Sequence, residues 1–214
     1  VFQPEVLSNL KFKIQNSKFD VFIVAAYAKI IPKEILKLPR LGTVGVHPSL
    51  LPKYRGSSPI QSVILNGDSE TGVSLFLIDG KVDHGPIIKN LKFKIQNLKL
   101  TYKELEKILA GLSADLLIET LPKFLKGETN LLPQDESQAT YTKKFLTEDG
   151  YVEPKDLERA QKDGGQIAIE IDRKIRALNP EPGVWTLQQI QGKQKRVKLL
   201  EAEIVDGKLK LTKI

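Results

Sequence analysis

The segment Asp20-Val21-Phe22-Ile23-Val24-Ala25-Ala26-Tyr27 constrains the fold more than any other. It is a continuous apolar run rich in β-branched residues, which predicts a strand buried on both faces, as in a parallel sheet. Ile31-Pro32-Lys33-Glu34-Ile35-Leu36 follows, with proline in the first turn and an apolar spacing that predict a short helix. Thr43-Val44-Gly45-Val46-His47 predicts a second strand, ended by Pro48. The proline-bounded stretch from Leu51-Pro52 to Ser58-Pro59 reads as loop, and Ile60 to Leu65 as a helix stopped at Asn66-Gly67. Val73 to Ile78 predicts a third strand, and Pro86 to Lys94 holds a fourth. Thr101-Tyr102-Lys103-Glu104 has the form of a capping box. The long helix it opens carries Leu105, Ile108, Leu109, Leu112, Leu116, Leu117 and Leu121 on its apolar face. Strands alternating with helices place the chain in the α/β class, with a largely parallel sheet.

From Lys126 to about Ala139 the chain turns polar, which reads as a linker. Gly165 to Leu178 then predicts a helix. Val184 to Ile190, Lys195 to Ile204 and Lys208 to Ile214 predict short strands joined by Gly192 and by Asp206-Gly207, a meander of β-barrel type. The organisation expected is one α/β domain over residues 1–125, a linker over 126–150 and a partial second domain over 151–214. The octapeptide NLKFKIQN occurs at residues 9–16 and again at 90–97. With no longer period around it, this is not a repeat architecture, and no function is assigned to it.

Composition excludes several chemistries. The 214 residues contain no cysteine, so disulfides, thiol nucleophiles and thiolate-ligated zinc are ruled out. With only His47 and His84 for imidazole ligands, no metal site is expected. No apolar run approaches the roughly 18 residues that a membrane span requires, and no signal peptide opens the chain. A cytoplasmic location with no membrane partner is the expectation. Methionine is absent and the chain begins Val1-Phe2-Gln3-Pro4, so a fragment without its natural start is expected. Its end at Lys213-Ile214 falls inside an apolar/polar alternation and reads as cut too. The net charge of +7 suits an anionic partner such as RNA, or a merely solvated basic surface.

The chemistry is concentrated between residues 42 and 88. His47 stands at the C-terminal end of a predicted strand, where open α/β sheets bind ligands, and a Pro-Gly-bounded loop follows it. Asp83 follows another strand, on a second loop that can reach the same crevice. Such a carboxylate would raise the imidazole pKa and orient the ring, giving an acid/base pair. The alternative is a packed histidine at a strand end, with Asp83 only a turn residue before Gly85.

The string His47-Pro48-Ser49-Leu50-Leu51-Pro52-Lys53-Tyr54-Arg55-Gly56 resembles the formyltransferases that use 10-formyltetrahydrofolate. The likeness continues in Ser58-Pro59-Ile60-Gln61, Asn66-Gly67-Asp68, Glu70-Thr71-Gly72-Val73-Ser74 and Asp83-His84-Gly85-Pro86. Within that family the chain is most similar to the methionyl-tRNA formyltransferases. Pro59-Ile60-Gln61, Gln138-Ala139-Thr140-Tyr141-Thr142-Lys143-Lys144 and the run from Ile175 to Thr186 carry that finer likeness, which extends from Gln3-Pro4-Glu5 to the end. The resemblance implies a partial Rossmann-like catalytic domain followed by an incomplete OB-like barrel. It implies transfer of a formyl group from 10-formyltetrahydrofolate to the amino group of initiator methionyl-tRNA. An acceptor such as an amino-sugar nucleotide, on the same scaffold, is the alternative.

In the family an Asn, a His and an Asp do the chemistry, and the last two fall on His47 and Asp83. The resemblance thus implies that His47 donates to the developing oxyanion, while Asp83 raises its pKa and relays the amine proton. His84 has no family role and reads as an exposed loop residue. The family Asn falls on Gly45, on the same strand face as His47 by the two-residue period. Glycine has no side-chain donor, and losing one oxyanion donor typically costs about 10²–10³ in kcat. The chain is therefore expected to bind folate but transfer formyl poorly, unless water, Thr43 or a rearranged loop substitutes. Restoring Asn at Gly45 is expected to raise turnover.

By the same resemblance, folate lies against Lys29, Ile30 and Ile31 on one loop, Ile78, Asp79, Gly80 and Val82 on another, and Ser49 and Leu50 between them. For Ile30 and Ile31 plain core packing is the alternative. Arg55 and Gly56 are expected to shape the crevice loop, although Arg55 could simply pair with a carboxylate. RNA contact is expected from Arg176, Lys193, Lys195, Arg196 and Lys198. The partners implied are initiator tRNA and folate, and the protein is expected to be a monomer.

Overall fold

The computed structural model describes residues 18–27, 29–96 and 99–214. Gln3-Pro4-Glu5 and the first copy of the octapeptide therefore lie outside the described residues. The chain divides into two compact units.

The first unit contains the described residues up to Pro59, with Glu70–Lys94 and Ile108–Thr142. Its sheet has four described strands, β1 (Phe22–Ala25), β2 (Thr43–His47), β4 (Glu70–Leu77) and β5 (Ile87–Lys94), in the order β1-β2-β4-β5. The short strand β3 (Arg55–Gly56) lies outside this sheet. β1 and β2 run parallel, connected through the one-turn helix α1 (Lys33–Leu36). Among the described strands, the largely parallel sheet expected from the sequence is parallel only at this pair, because β2–β4 and β4–β5 are antiparallel. For β4 and β5 the reason is connection length: the nine residues between them are too few for a crossover but ample for a reversal. Burial corrects a second expectation. Continuous burial belongs to β2 and β4, whereas β1 alternates between half-buried and exposed. As the edge of the described sheet, β1 shows the pattern of a strand covered on one face.

The polar run after residue 126 is ordered within this unit. Leu132 bridges Ile87 through two backbone hydrogen bonds. Glu136–Gln138 form a 3-10 turn capped by Asp135, whose carboxylate accepts from the Ser137 N–H. β6 (Tyr141–Thr142) pairs in parallel with β3. We refer to residues 131–142 as the strap.

The helix α2 (Pro59–Asn66) carries proline at its first position, and α3 (Tyr102–Leu125) opens with the expected capping box. The Thr101 N–H donates to Glu104 Oε2 (2.8 Å), and the Glu104 N–H to Thr101 Oγ1 (3.4 Å). Every apolar position expected on α3 is buried or half-buried.

The second unit holds Ile60–Ser69, Ile95–Lys107 and Lys143–Ile214. Helices α4 (Pro154–Lys162) and α5 (Gln166–Leu178) pack on one another and on two β-hairpins. These are β7 (Trp185–Ile190) with β8 (Lys193–Lys198), and β9 (Glu201–Val205) with β10 (Lys208–Lys213). The strand expected from Lys195 to Ile204 is broken at Leu199-Leu200, where wholly buried Leu199 enters the core. The described strands form two separate ribbons rather than a closed barrel. Gln191-Gly192 and Asp206-Gly207 turn the hairpins with φ of 54°, 73°, 50° and 76°. Two successive positive φ values mark the type I′ turn, whose twist matches that of its strands.

Candidate active site

His47 ends β2 with its side chain 8% exposed, and Asp83 stands on the turn after β4 with 23% exposed. The structure brings the two together: His47 Nδ1 lies 3.6 Å from Asp83 Oδ2. His47 Nε2 lies 2.9 Å from the Tyr54 carbonyl oxygen. A carbonyl only accepts, so Nε2 carries a proton and donates it there. In the neutral ring Nδ1 is then a lone pair facing a carboxylate across a gap too long for a direct hydrogen bond. A small donor group entering that gap finds two acceptors.

Asp83 does raise the His47 pKa, as expected, but it does not set the net direction. Burial pushes the pKa down and prevails over the opposing effects of Asp83 and the Tyr54 carbonyl. The resting ring is accordingly neutral, suited to accepting a proton at Nδ1.

Both members of the pair are held from the strap. Tyr54, in the left-handed region at φ 61°, aims its carbonyl at His47, and its N–H donates to Thr140 Oγ1 (2.8 Å). The Arg55 N–H donates to the Thr140 carbonyl (2.8 Å), and the Thr140 N–H to that of Pro52 (3.2 Å). Thr142 Oγ1 accepts from the Ser58 N–H (3.0 Å) and donates to the Arg55 carbonyl (3.1 Å). Asp83 Oδ2 accepts from the Gly56 N–H at 2.8 Å. Arg55 has no accessible surface, and its guanidinium donates to Gln134, Glu136 and the Tyr141 hydroxyl. Its partnership with Glu136 raises its own pKa and lowers that of the carboxylate. Sequence reasoning missed Tyr54, Gln134, Thr140 and Thr142. The signals were the string His47 to Gly56, which holds Tyr54, and the string Gln138 to Lys144, which holds Thr140 and Thr142; nothing marked Gln134.

Gly45 faces Phe76 directly across β2 and β4. A Cβ at Gly45 would stand 2.5 Å from Phe76 Cε1, 2.7 Å from Cζ and 3.2 Å from Ile78 Cγ1. The ring of Phe76 is buried with Leu51, Ile87 and Ile78, so it covers the strand where the resemblance implies an Asn side chain. This corrects the expectation that Asn at Gly45 alone would act, since the place is filled. Thr43, a candidate substitute, spends its hydroxyl on the Leu36 carbonyl (3.1 Å).

Among the remaining expected residues, Ile30 is 94% exposed and Val82 60% exposed, so neither is core. Gly80, on the loop of Val82, approaches the side chain of Lys33, three residues after Ile30, with a built Cβ 2.9 Å from Lys33 Cε. Two exposed apolar side chains on adjoining loops suit the cover of a flat heteroaromatic ring. Lys29 is exposed and Ile31 half-buried. Asp79 is partnered by the Lys81 N–H (3.0 Å) and His84 Nδ1 (2.6 Å), and these outweigh burial to hold its pKa low. His84, expected as an exposed loop residue, also lies 3.5 Å from Glu136 with its side chain 29% exposed. Ser49 is buried, donating to the Lys53 carbonyl (2.6 Å), and Leu50 lies against Gly72.

In the second unit, Lys193, Lys195, Arg196 and Lys198 are exposed along β8, with Arg196 stacked 4.1 Å above the Trp185 ring. Arg176 is enclosed instead, its guanidinium bonded to Asp172 and to the Leu100 carbonyl.

Residues 3–121 match the family model described as formyl transferase, and residues 165–212 match that of the formyl transferase C-terminal domain. Methionyl-tRNA formyltransferases of Protochlamydia amoebophila and Kosmotoga olearia are 35% and 40% identical over 207 and 210 residues. These alignments cover 96% and 97% of this chain but 62% of each relative. HypX from Aquifex aeolicus, solved in complex with tetrahydrofolic acid, superimposes with a TM-score of 0.65 at 22% identity. That match covers 86% of this chain and 29% of HypX, and shows a shared fold.

Proposed function

Because the chain belongs to the formyl transferase family, we propose that it transfers a formyl group from 10-formyltetrahydrofolate to the amino group of initiator methionyl-tRNA. The chain spans about 62% of the length of the two methionyl-tRNA formyltransferases named above. The observation that carries the reading is the 3.6 Å approach of His47 Nδ1 to Asp83 Oδ2 inside the segment that matches the family.

The folate supplies the formyl carbon, and Ile30, Ile31, Ile78, Asp79, Gly80 and Val82 are the residues proposed to hold it. The protein's part is to manage one proton. Neutral His47 takes it at Nδ1 from the attacking amine as the new carbon–nitrogen bond forms. Asp83 holds the imidazolium so produced, and its Nδ1–H faces the negative charge developing on the formyl oxygen. As the old carbon–nitrogen bond breaks, the same proton passes to the departing nitrogen and His47 returns to its resting state. The exposed cations of β8 are proposed to follow tRNA phosphates, an electrostatic contact that weakens with salt. Acting on charged tRNA, the protein is assigned to the cytoplasm.

A second reading, a slow relative that binds folate, is favoured by Phe76 lying over Gly45. Single-turnover formylation of initiator methionyl-tRNA and of an amino-sugar nucleotide, with folate binding measured alongside, tests both. Formyl-methionyl-tRNA as the product supports the proposal. Product on the sugar alone contradicts it, and folate binding without product favours the second reading.

A further inference from the structure

We propose that Gln134 is a positioning residue, a clamp that fixes the Asp83 turn to the loop carrying Arg55 and so sets the carboxylate against His47. Its consequence for turnover rests on the formyl-transfer reading above, whereas its geometry does not.

The amide of Gln134 is used in full. Nε2 donates to the Asp83 carbonyl (2.8 Å) and to that of Gly85 (2.7 Å). Oε1 accepts from Arg55 Nε (3.0 Å) and Nη2 (2.8 Å). Two donors and two lone pairs are all that a primary amide has. Carbonyls only accept and a guanidinium only donates, so the orientation of the amide is fixed by chemistry.

The turn it holds needs holding. Asp83 sits at φ 45°, in the left-handed region that side chains other than glycine adopt only when something holds them there. A built Cβ at Gly85 would stand 1.7 Å from the Leu77 carbonyl oxygen, so the turn is pressed back onto the end of β4. Asp83 has two ties to the loop beside it. Its carboxylate is bonded to the Gly56 N–H, and its carbonyl is bonded through Gln134 to Arg55, the preceding residue. With the amide gone, only the bond from the Gly56 N–H to Oδ2 resists relaxation of the positive φ, and Oδ2 shifts against Nδ1 as the turn relaxes. Glutamate at 134 would preserve shape and the pairing with Arg55, yet aim oxygens at two carbonyl oxygens. Methionine would preserve shape and neutrality while removing all four bonds.

The test is the imidazole nitrogen-15 spectrum at pH 7 of the wild type, Gln134→Met and Asp83→Asn. His47 and His84 are the only two histidines, so His84→Gln completes the assignment. The His47 Nδ1 resonance is expected to move in Asp83→Asn, and to move the same way in Gln134→Met. A Gln134→Met spectrum that coincides with the wild type overturns the proposal, as does an Asp83→Asn spectrum that does not move. Should Gln134→Met fail to fold, Gln134→Glu retains the Arg55 pairing. Hydrogen exchange is then expected to rise in the 79–86 turn and nowhere else, and unchanged exchange there overturns the proposal. If the wild type transfers formyl, kcat of Gln134→Met falls about tenfold to a hundredfold, the scale of a displaced catalytic group, while KM for the formyl donor holds. A moved resonance in a wild type that transfers no formyl leaves the clamp standing and removes the functional reading. An active wild type whose variant keeps kcat and the spectrum does the reverse.

Discussion

The His47 end of the first unit and the paired hairpins of the second are specified in opposite ways. Arg55, Asp83 and His47 owe their positions to partners 27 to 86 residues away in sequence, or to Tyr54, itself tied to Thr140 86 residues on. Most of those partners are polar groups within hydrogen-bond distance of buried ones. The hairpins are specified locally, by two-residue turns at positive φ and, in β9 and β10, by strands that alternate toward a buried side. Their charges are wet and paired only at the surface, as in Lys210–Glu203 at 3.3 Å, and each such pair contributes little. A region built on distant partners fails when any one is removed. A region built on local turns loses only what the turn itself contributes.

The sharpest way to break this contrast is at Gly45. Gly45→Asn alone is expected to destabilise by about 1–3 kcal/mol, the cost of overpacking against Phe76, with no gain in rate. Phe76→Leu ends the side chain before Cε1 and Cζ, the atoms that would clash. The Gly45→Asn/Phe76→Leu pair is expected to raise kcat by about 10²–10³, the usual worth of one oxyanion donor. A gain of that size from Gly45→Asn alone would show that the distant partner does not matter. Next in size is Arg55→Met, expected to cost roughly 2–4 kcal/mol in urea denaturation. That is toward the low end for a broken buried pair, because Glu136 remains in water.

In the hairpins, the Cβ added by Gly192→Ala meets nothing within 4 Å, so only the positive φ opposes it. Thermal unfolding should register about 1–2 kcal/mol, and a loss as large as that of Arg55→Met would erase the distinction. The smallest effect is a pH dependence. Burial holds the folded-state pKa of His47 below its unfolded value near 6.5, so the neutral ring stabilises the fold above that pH. That contribution is lost as pH falls from about 6.5 toward the lowered folded pKa, by at most about 1.4 kcal/mol per pH unit. His47→Gln should abolish this limb and leave the hairpins' response to acid unchanged.

The same contrast explains what the sequence made legible. Gly192 and Asp206-Gly207 announce turns, and the Thr101–Glu104 box announces a helix, because the residues that make each structure are neighbours in the chain. The pairing of His47 with Asp83 was reachable through motif likeness and strand ends, although the direction of the His47 pKa was not. That direction depends on how much protein surrounds the ring, which no local pattern records. Gln134 lay unseen in a polar stretch read as linker, since its four bonds run to residues up to 79 positions away. The filling of Gly45 by Phe76 was equally hidden, because it required the β2–β4 register.

The most direct test is the single-turnover rate of formyl transfer to initiator methionyl-tRNA by the wild type and by Asp83→Asn. An amide of the same shape can keep its bond to the Gly56 N–H but cannot hold an imidazolium. The rate is expected to fall about 10²–10⁴-fold, the range for general acid–base catalysis, with folate affinity unchanged. An Asp83→Asn protein that formylates the tRNA as fast as the wild type would contradict the pairing of His47 and Asp83 as the centre of the chemistry.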